Sequence, residues 1–255
     1  MEKWRQAVEL FLKDWKENEE VIGALVCGSY VTGNPSEHSD IDLHLLLKSG
    51  IDWRERGNKV VDGYLIEYFA NPKEQILKYF HEEIASRSCV SAHMFSSGEI
   101  LFDKTGELGK VVKQSTDWMK KPFDEMSDIS SEIKKYFLWD MQDNLHEVYK
   151  HSRETFNFVY HCYLKEIYAT YSEYTGFPAA SANKVVRFLE NENDKKKYMI
   201  PDFPDKVFQN LFVKAAVSSD TNEMVILYEN ITNHVLNMMG GFKIDGWKIR
   251  TPLDI

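Results

Sequence analysis

Two aspartates at the start of an apolar run constrain this chain more than any other feature. They are Asp40 and Asp42 in the stretch SDIDLHLLL. The short aliphatic run indicates a strand, whose alternate side chains face the same side. The two carboxylates therefore project together, while Ile41 and Leu43 face the opposite, buried side. Like charges held this close disfavour each other unless a cation lies between them, so the pair predicts a site for Mg²⁺.

A glycine and a serine precede the aspartates. The apolar run VIGALVCG indicates a buried strand that ends at Gly28, and Ser29 then begins a short helix. Backbone N–H groups at the start of a helix favour an anion, and glycine lets the backbone approach it closely. The Ser29 hydroxyl can donate a hydrogen bond to a phosphate oxygen. We therefore predict that Gly28 and Ser29 bind phosphate groups next to the predicted metal site.

The pattern along the chain divides it into two halves. The first half alternates helical periodicity with short apolar runs, including one strand in KVVDGYLIEYFANP that is interrupted at Gly63. From about Ser130 the periodicity is helical, and the charged run NENDKKK predicts a surface loop. We expect an α+β protein, with a mixed sheet and flanking helices in residues 1–122 and a helical bundle in residues 123–255.

Composition limits the classes of partner. The 255 residues include 40 acidic and 31 basic side chains, for a formal net charge of −9. This charge argues against binding to nucleic acid or to an anionic membrane surface. No apolar stretch reaches the roughly 18–20 residues of a spanning helix, and no leader pattern is recognisable, so we expect a cytoplasmic protein. Three widely spaced cysteines indicate neither a disulfide framework nor a zinc site.

The stretch GSYVTGNPSEHSDIDL resembles the signature of the polymerase-beta-like nucleotidyltransferase superfamily. That signature is a Gly-Gly or Gly-Ser pair after a hydrophobic residue, followed after a short interval by Asp-hydrophobic-Asp/Glu-hydrophobic. The resemblance implies a third carboxylate on a later strand, for which Glu67 in GYLIEYFA is the candidate and Asp62 its rival. Glu67 either completes the coordination of a second metal ion or takes the proton from the acceptor. The alternative is an edge-strand glutamate in a salt bridge.

The two-part organisation is similar to that of the bacterial lincosamide and aminoglycoside nucleotidyltransferases. This resemblance implies magnesium-dependent transfer of AMP from ATP to a hydroxyl of a small molecule, such as one of those antibiotics, with release of pyrophosphate. It implies that Asp40 and Asp42 hold the metal, that Glu67 joins them as a metal ligand or acts as the base, that Gly28 and Ser29 hold phosphates, and that residues 123–255 bind the acceptor.

One further question concerns the helical half. Lys184 and Arg187 lie three residues apart on one predicted helix face, which makes them candidates for contacts with the triphosphate. The alternative is an ordinary solvated face.

Two other functions also remain open: modification of a protein side chain by an adenylyltransferase of the same superfamily, and nucleotide binding by a non-catalytic regulatory protein on this fold.

Overall fold

The structure, a computed structural model, describes residues 2–33 and 35–253. It divides into two compact units, residues 1–122 and residues 123–255. Among the described residues, the strands of the N-terminal unit are β1 (Val21–Cys27), β2 (Ile41–Leu47), β3 (Glu55–Val61), β4 (Tyr64–Pro72) and β5 (Glu99–Asp103). Its helices are α1 (Lys3–Glu17), α2 (Ser29–Thr32), α3 (Lys73–Ala85), α4 (Val90–Ser97) and α5 (Glu107–Trp118).

The strands form one mixed sheet in the order β3-β4-β2-β1-β5. β2 and β4 are parallel, whereas the pairs β1–β2, β1–β5 and β3–β4 are antiparallel. Central strands are buried on both faces and read as continuous apolar runs, as β1 and most of β2 do. The predicted mixed sheet is confirmed.

Helices cover both faces of this sheet. The apolar side of α1, including Trp4, Val8 and Leu12, packs on one face against alternate residues of β1, β2 and β4. α3, α4 and α5 pack on the other face, where Phe80 and Phe95 join a second buried cluster with Leu25 and Leu46. Burial of these side chains in two layers supplies most of the stabilisation of the unit.

The segment from Glu55 to Pro72 differs from the single interrupted strand that we predicted. It forms two antiparallel strands joined by a two-residue turn at Asp62 and Gly63, whose φ angles are +49° and +82°. Two consecutive positive φ angles define the tight turn that matches the natural twist of a hairpin, and Asp-Gly favours it strongly. The interruption at Gly63 is therefore a reversal of the chain, and β3 becomes an edge strand.

The C-terminal unit is helical in the part of it that the structure describes. Its helices are α6 (Asp128–His151), α7 (Phe156–Tyr174), α8 (Val185–Glu190), α9 (Glu192–Tyr198), α10 (Lys206–Val217) and α11 (Thr221–Met238). They enclose an aromatic-rich core, so the predicted α+β class is confirmed. No helix in residues 2–33 or 35–253 has both the length and the apolar content needed to cross a membrane.

One local prediction in this unit is wrong. The run NENDKKK is not a surface loop: most of it forms α9, and Asp194 and Lys195 within it are buried. The Asn191 side chain accepts hydrogen bonds from the backbone N–H groups of Asn193 and Asp194 and so caps the helix. Charge density alone suggested solvent exposure, but the cap and the ion pairs of α9 allow part of this run to be buried.

Candidate active site

A row of polar side chains crosses one face of the sheet. Strand register places Cys27 opposite Asp42, Asp42 beside Glu67, and Glu67 opposite Asn58. Residues paired across neighbouring strands point to the same face, so these four side chains form a line across β1, β2, β4 and β3. Burial, and then the nearby carboxylates of Asp42 and Asp40, raise the pKa of the Cys27 thiol. The thiol therefore stays neutral next to the two acids.

The structure brings three of the predicted carboxylates together. Asp40 lies just before β2, and one oxygen from each of Asp40, Asp42 and Glu67 lies within 4.8 Å of the others. All three side chains are half-buried. Asp62, the rival candidate, lies exposed in the turn of the β3–β4 hairpin, outside this group. Hard divalent cations prefer carboxylate oxygens, so the three side chains form a suitable donor set.

Gly28 lies against the carboxylate of Asp42. Its backbone angles, φ +78° and ψ −157°, fall in a region that is essentially restricted to glycine. A Cβ atom at this position would overlap Oδ2 of Asp42. Ser29 follows as the first residue of α2, and the Thr32 hydroxyl donates to the Gly28 carbonyl. Glycine is thus required here both by the backbone conformation and by the space that Asp42 occupies.

A second row of side chains lies next to the carboxylates, two residues along each strand from the first row. Register places Leu25, His44, Phe69 and Arg56 side by side on this face. The His44 ring stacks on Phe69 with ring centres 5.1 Å apart and an angle of 19°, and it also contacts Phe95 of α4. Burial lowers the pKa of His44 to about 4, so the imidazole is neutral at physiological pH. The row is therefore uncharged except for the guanidinium of Arg56 at its end.

That cation, Arg56, contacts the acidic group directly. Its Nη2 and Nε donate to the same oxygen of Glu67, Oε1, at 2.6 and 3.2 Å. Its guanidinium carbon lies 4.9 Å from the centre of the Phe69 ring. Arg56 is not among the residues predicted from the sequence, although a signal existed: an Asp-Gly hairpin sets Asn58 opposite Glu67 and therefore Arg56 diagonal to it. The salt bridge that we kept as the alternative for Glu67 is present.

The two basic candidates of the helical unit contact other residues of that unit. Arg187 donates from Nε and Nη2 to the two carboxylate oxygens of Asp194, at 2.7 and 2.8 Å. The Lys184 ammonium lies 4.8 Å from the centre of the Tyr198 ring. Through these contacts both side chains help to hold α8 and α9 together. Their predicted role in binding a triphosphate stays a prediction.

Comparison with known proteins agrees with this geometry. Residues 12–107 match the family model described as polymerase beta, nucleotidyltransferase. The N-terminal unit is a polymerase-beta-like nucleotidyltransferase domain. The matched segment includes β1, β2, β3, β4 and the three carboxylates, and a nucleotidyltransferase domain implies a nucleotide substrate. Families of this kind generally use a nucleoside triphosphate and a divalent metal ion.

A comparison with solved structures also gave matches. The chain is similar to a crystal structure described as a nucleotidyltransferase-like protein from Exiguobacterium sibiricum 255-15, at 12% sequence identity and a TM-score of 0.48. The similarity covers 92% of this chain and 75% of the other. A comparison with curated protein sequences gave no match.

Proposed function

We propose that this protein transfers a nucleoside monophosphate, AMP from ATP, to a hydroxyl group of a small molecule in a magnesium-dependent reaction. The observation that carries the proposal is the group formed by Asp40, Asp42 and Glu67 on one face of a nucleotidyltransferase sheet. Three carboxylates held together at two neighbouring strands cost stability unless a cation balances them. A cation bound here together with a polyphosphate would offset that cost.

The residues fit a divalent ion by the chemistry of their oxygen atoms. Asp40, Asp42 and Glu67 would hold Mg²⁺, and Asp42 and Glu67 are adjacent in register on parallel strands. When bound, the ion would neutralise charge on the triphosphate and on the pyrophosphate that leaves. We assign Glu67 to this ligand set rather than to proton transfer, because it lies beside Asp42 and its Oε1 already accepts from a guanidinium.

The remaining residues of the site position the nucleotide. The backbone at Gly28 and the hydroxyl of Ser29 would donate hydrogen bonds to phosphate oxygens, since this turn lies against Asp42. The neutral, buried His44 and its ring partners hold β2 and β4 in place under the carboxylates. Catalysis of this type depends mainly on alignment of the acceptor hydroxyl and on charge neutralisation at the phosphorus.

We assign acceptor binding to residues 123–255. The family match accounts for the nucleotide-binding part of the chain, and the helical unit remains to recognise the second substrate. An aminoglycoside or a lincosamide, each rich in hydroxyl groups, is the acceptor class that we put first. This assignment would make the protein an antibiotic-inactivating enzyme.

The experiment that tests the proposal uses ATP labelled in the α-phosphate and a panel of aminoglycosides and lincosamides. We expect a small labelled product that requires Mg²⁺ and that disappears in Asp42→Ala. Label found on protein would favour the protein-modifying alternative, and nucleotide binding without any transfer would favour a regulatory protein. Unchanged transfer in Asp42→Ala would refute the metal-site assignment.

A further inference from the structure

We propose that Arg56 couples the binding of metal to the binding of nucleotide. In the absence of ligands its guanidinium neutralises Glu67, and when the metal takes Glu67 the guanidinium is released to bind the polyphosphate. The inference rests on the proposed function, because it takes the carboxylates as metal ligands. It makes Arg56 a positioning and binding residue that the family signature does not contain.

The geometry of the contact supports an exchange of partners. Both donors of Arg56 converge on a single oxygen of Glu67, so the pair lacks the two parallel bonds of a full fork. The Arg56 side chain is 69% exposed, whereas that of Glu67 is 17% exposed. An exposed ion pair of this kind contributes little stability. Glu67 is thus fixed in the sheet, and Arg56 is free to leave at small cost.

Phe69 provides the surface on which the guanidinium moves. Arg56 lies across the Phe69 ring, and His44 stacks on that ring. A cation over an aromatic face is attracted without being fixed in one orientation by hydrogen bonds. Because Phe69 lies two residues beyond Glu67 on β4, this contact keeps Arg56 beside the acidic group after the salt bridge breaks.

Charge explains why the exchange depends on both ligands. The three carboxylates carry up to three negative charges, and Arg56 contributes one positive charge at Glu67. A divalent cation that binds alone must displace the guanidinium and then repels it at short range. A triphosphate removes this penalty, because its oxygens accept the hydrogen bonds that Arg56 no longer donates to Glu67. Metal alone is therefore bound weakly, and metal with nucleotide is bound tightly.

The test measures Mn²⁺ binding to the full chain by calorimetry, with and without an ATP analogue that has a non-cleavable α,β-methylene bridge. We expect Arg56→Gln to bind Mn²⁺ alone about fivefold more tightly than the unmodified protein. The increase in Mn²⁺ affinity that the analogue causes should be about fivefold smaller in this variant than in the unmodified protein. Arg56→Lys retains the charge without the planar fork, and we expect an intermediate coupling. Lys59→Gln is the matched control: it removes one charge from the same strand, but its ammonium lies near Phe11 of α1 on the other face.

The outcomes separate the two proposals. If the unmodified protein binds no Mn²⁺ under either condition, the proposed metal-dependent function fails. If Mn²⁺ binds and the analogue tightens it equally in Arg56→Gln and in the unmodified protein, the coupling role of Arg56 is refuted and the proposed function stands. An equal change in Lys59→Gln would show a general charge effect and would also refute the specific role. Should Arg56→Gln fail to fold, the same comparison with Arg56→Lys decides.

Discussion

Two arginine–carboxylate pairs, one in each unit, show how similar contacts serve different ends. In the helical unit Arg187 makes two parallel hydrogen bonds to both oxygens of Asp194. In the sheet unit Arg56 makes two bonds to only one oxygen of Glu67. The Asp194 side chain is 7% exposed and belongs to a helix that its own cap stabilises. Glu67 instead lies within a cluster of like charges.

The difference indicates which pair is structural. A buried carboxylate held by a complete fork has both oxygens engaged and its charge balanced, and breaking the fork leaves that charge unpaired. A carboxylate beside two others gains from a cation stronger than a single exposed guanidinium. We therefore interpret Arg187–Asp194 as a structural contact between α8 and α9 and Arg56–Glu67 as an exchangeable contact of the proposed active site.

The largest expected effect is on nucleotidyl transfer. We expect Glu67→Gln to lower the rate by at least about 100-fold, because the neutral amide is a poor ligand and removes charge that stabilises the transition state. Asp194→Asn, the matched change in the other pair, is expected to leave the rate within about twofold of the unmodified protein. Initial rates with labelled ATP, at equal amounts of folded protein, measure both effects.

The opposite result would reverse our interpretation of the pairs. If Asp194→Asn lowered transfer as much as Glu67→Gln, the helical pair would belong to the active site. A loss of nucleotide affinity in Arg187→Gln without any loss of stability would restore the phosphate-binding role that the sequence predicted for Arg187.

The second effect is on the local stability of the helical unit. We expect Arg187→Gln to destabilise the α8–α9 pair by about 1–2 kcal/mol, because the nearly buried Asp194 loses its two donors. This corresponds to roughly 5–30 times faster amide hydrogen exchange in peptides that cover residues 185–198. Unchanged exchange there, with normal exchange elsewhere, would contradict a structural role for the fork.

The third effect is a dependence of stability on pH. Hydrogen bonds from Arg187 outweigh the opposing effect of burial and hold the pKa of Asp194 below its usual range. The folded state therefore binds this proton less readily than the unfolded state does. The resulting stabilisation is complete above the ordinary aspartate pKa of about 4 and is lost as the pH falls through the lower pKa of the folded state.

Urea unfolding at pH 7 and at about pH 3 measures this effect. We expect the loss of stability between the two values to be smaller in Asp194→Asn than in the unmodified protein, since the amide does not titrate. Equal losses in the two proteins would show that the fork contributes nothing to the acid sensitivity.

The sequence predicted those parts of the site that depend on local pattern. The alternation of Asp40 and Asp42 with Ile41 and Leu43 was sufficient to predict a common face for the two aspartates. Contacts between strands were harder to predict, because they depend on register. Interpreting the segment around Gly63 as one strand hid the turn, and with it the diagonal position of Arg56 relative to Glu67.

Burial of charge was the other difficulty. The run NENDKKK has a composition typical of a solvated loop, yet Asp194 and Lys195 are buried because each has ionic partners: Arg187 for the first, and Glu192 and Asp202 for the second. Those partners lie up to seven residues away in sequence. Composition averages over such pairings and therefore cannot distinguish a charged loop from a short helix with paired charges.

The smallest expected effect completes the comparison of the two pairs. We expect Arg56→Gln to leave the free energy of unfolding nearly unchanged, because the arginine is mostly exposed and edge-strand ion pairs are screened by solvent. Removal of the guanidinium also leaves Glu67 beside two like charges without its counter-ion, but the Glu67 side chain, 17% exposed, keeps some access to water. Urea unfolding of Arg56→Gln and Arg187→Gln side by side measures the contrast. A loss in Arg56→Gln as large as that in Arg187→Gln would mean that the first pair is also structural, and an arginine held that firmly would not exchange Glu67 for a phosphate.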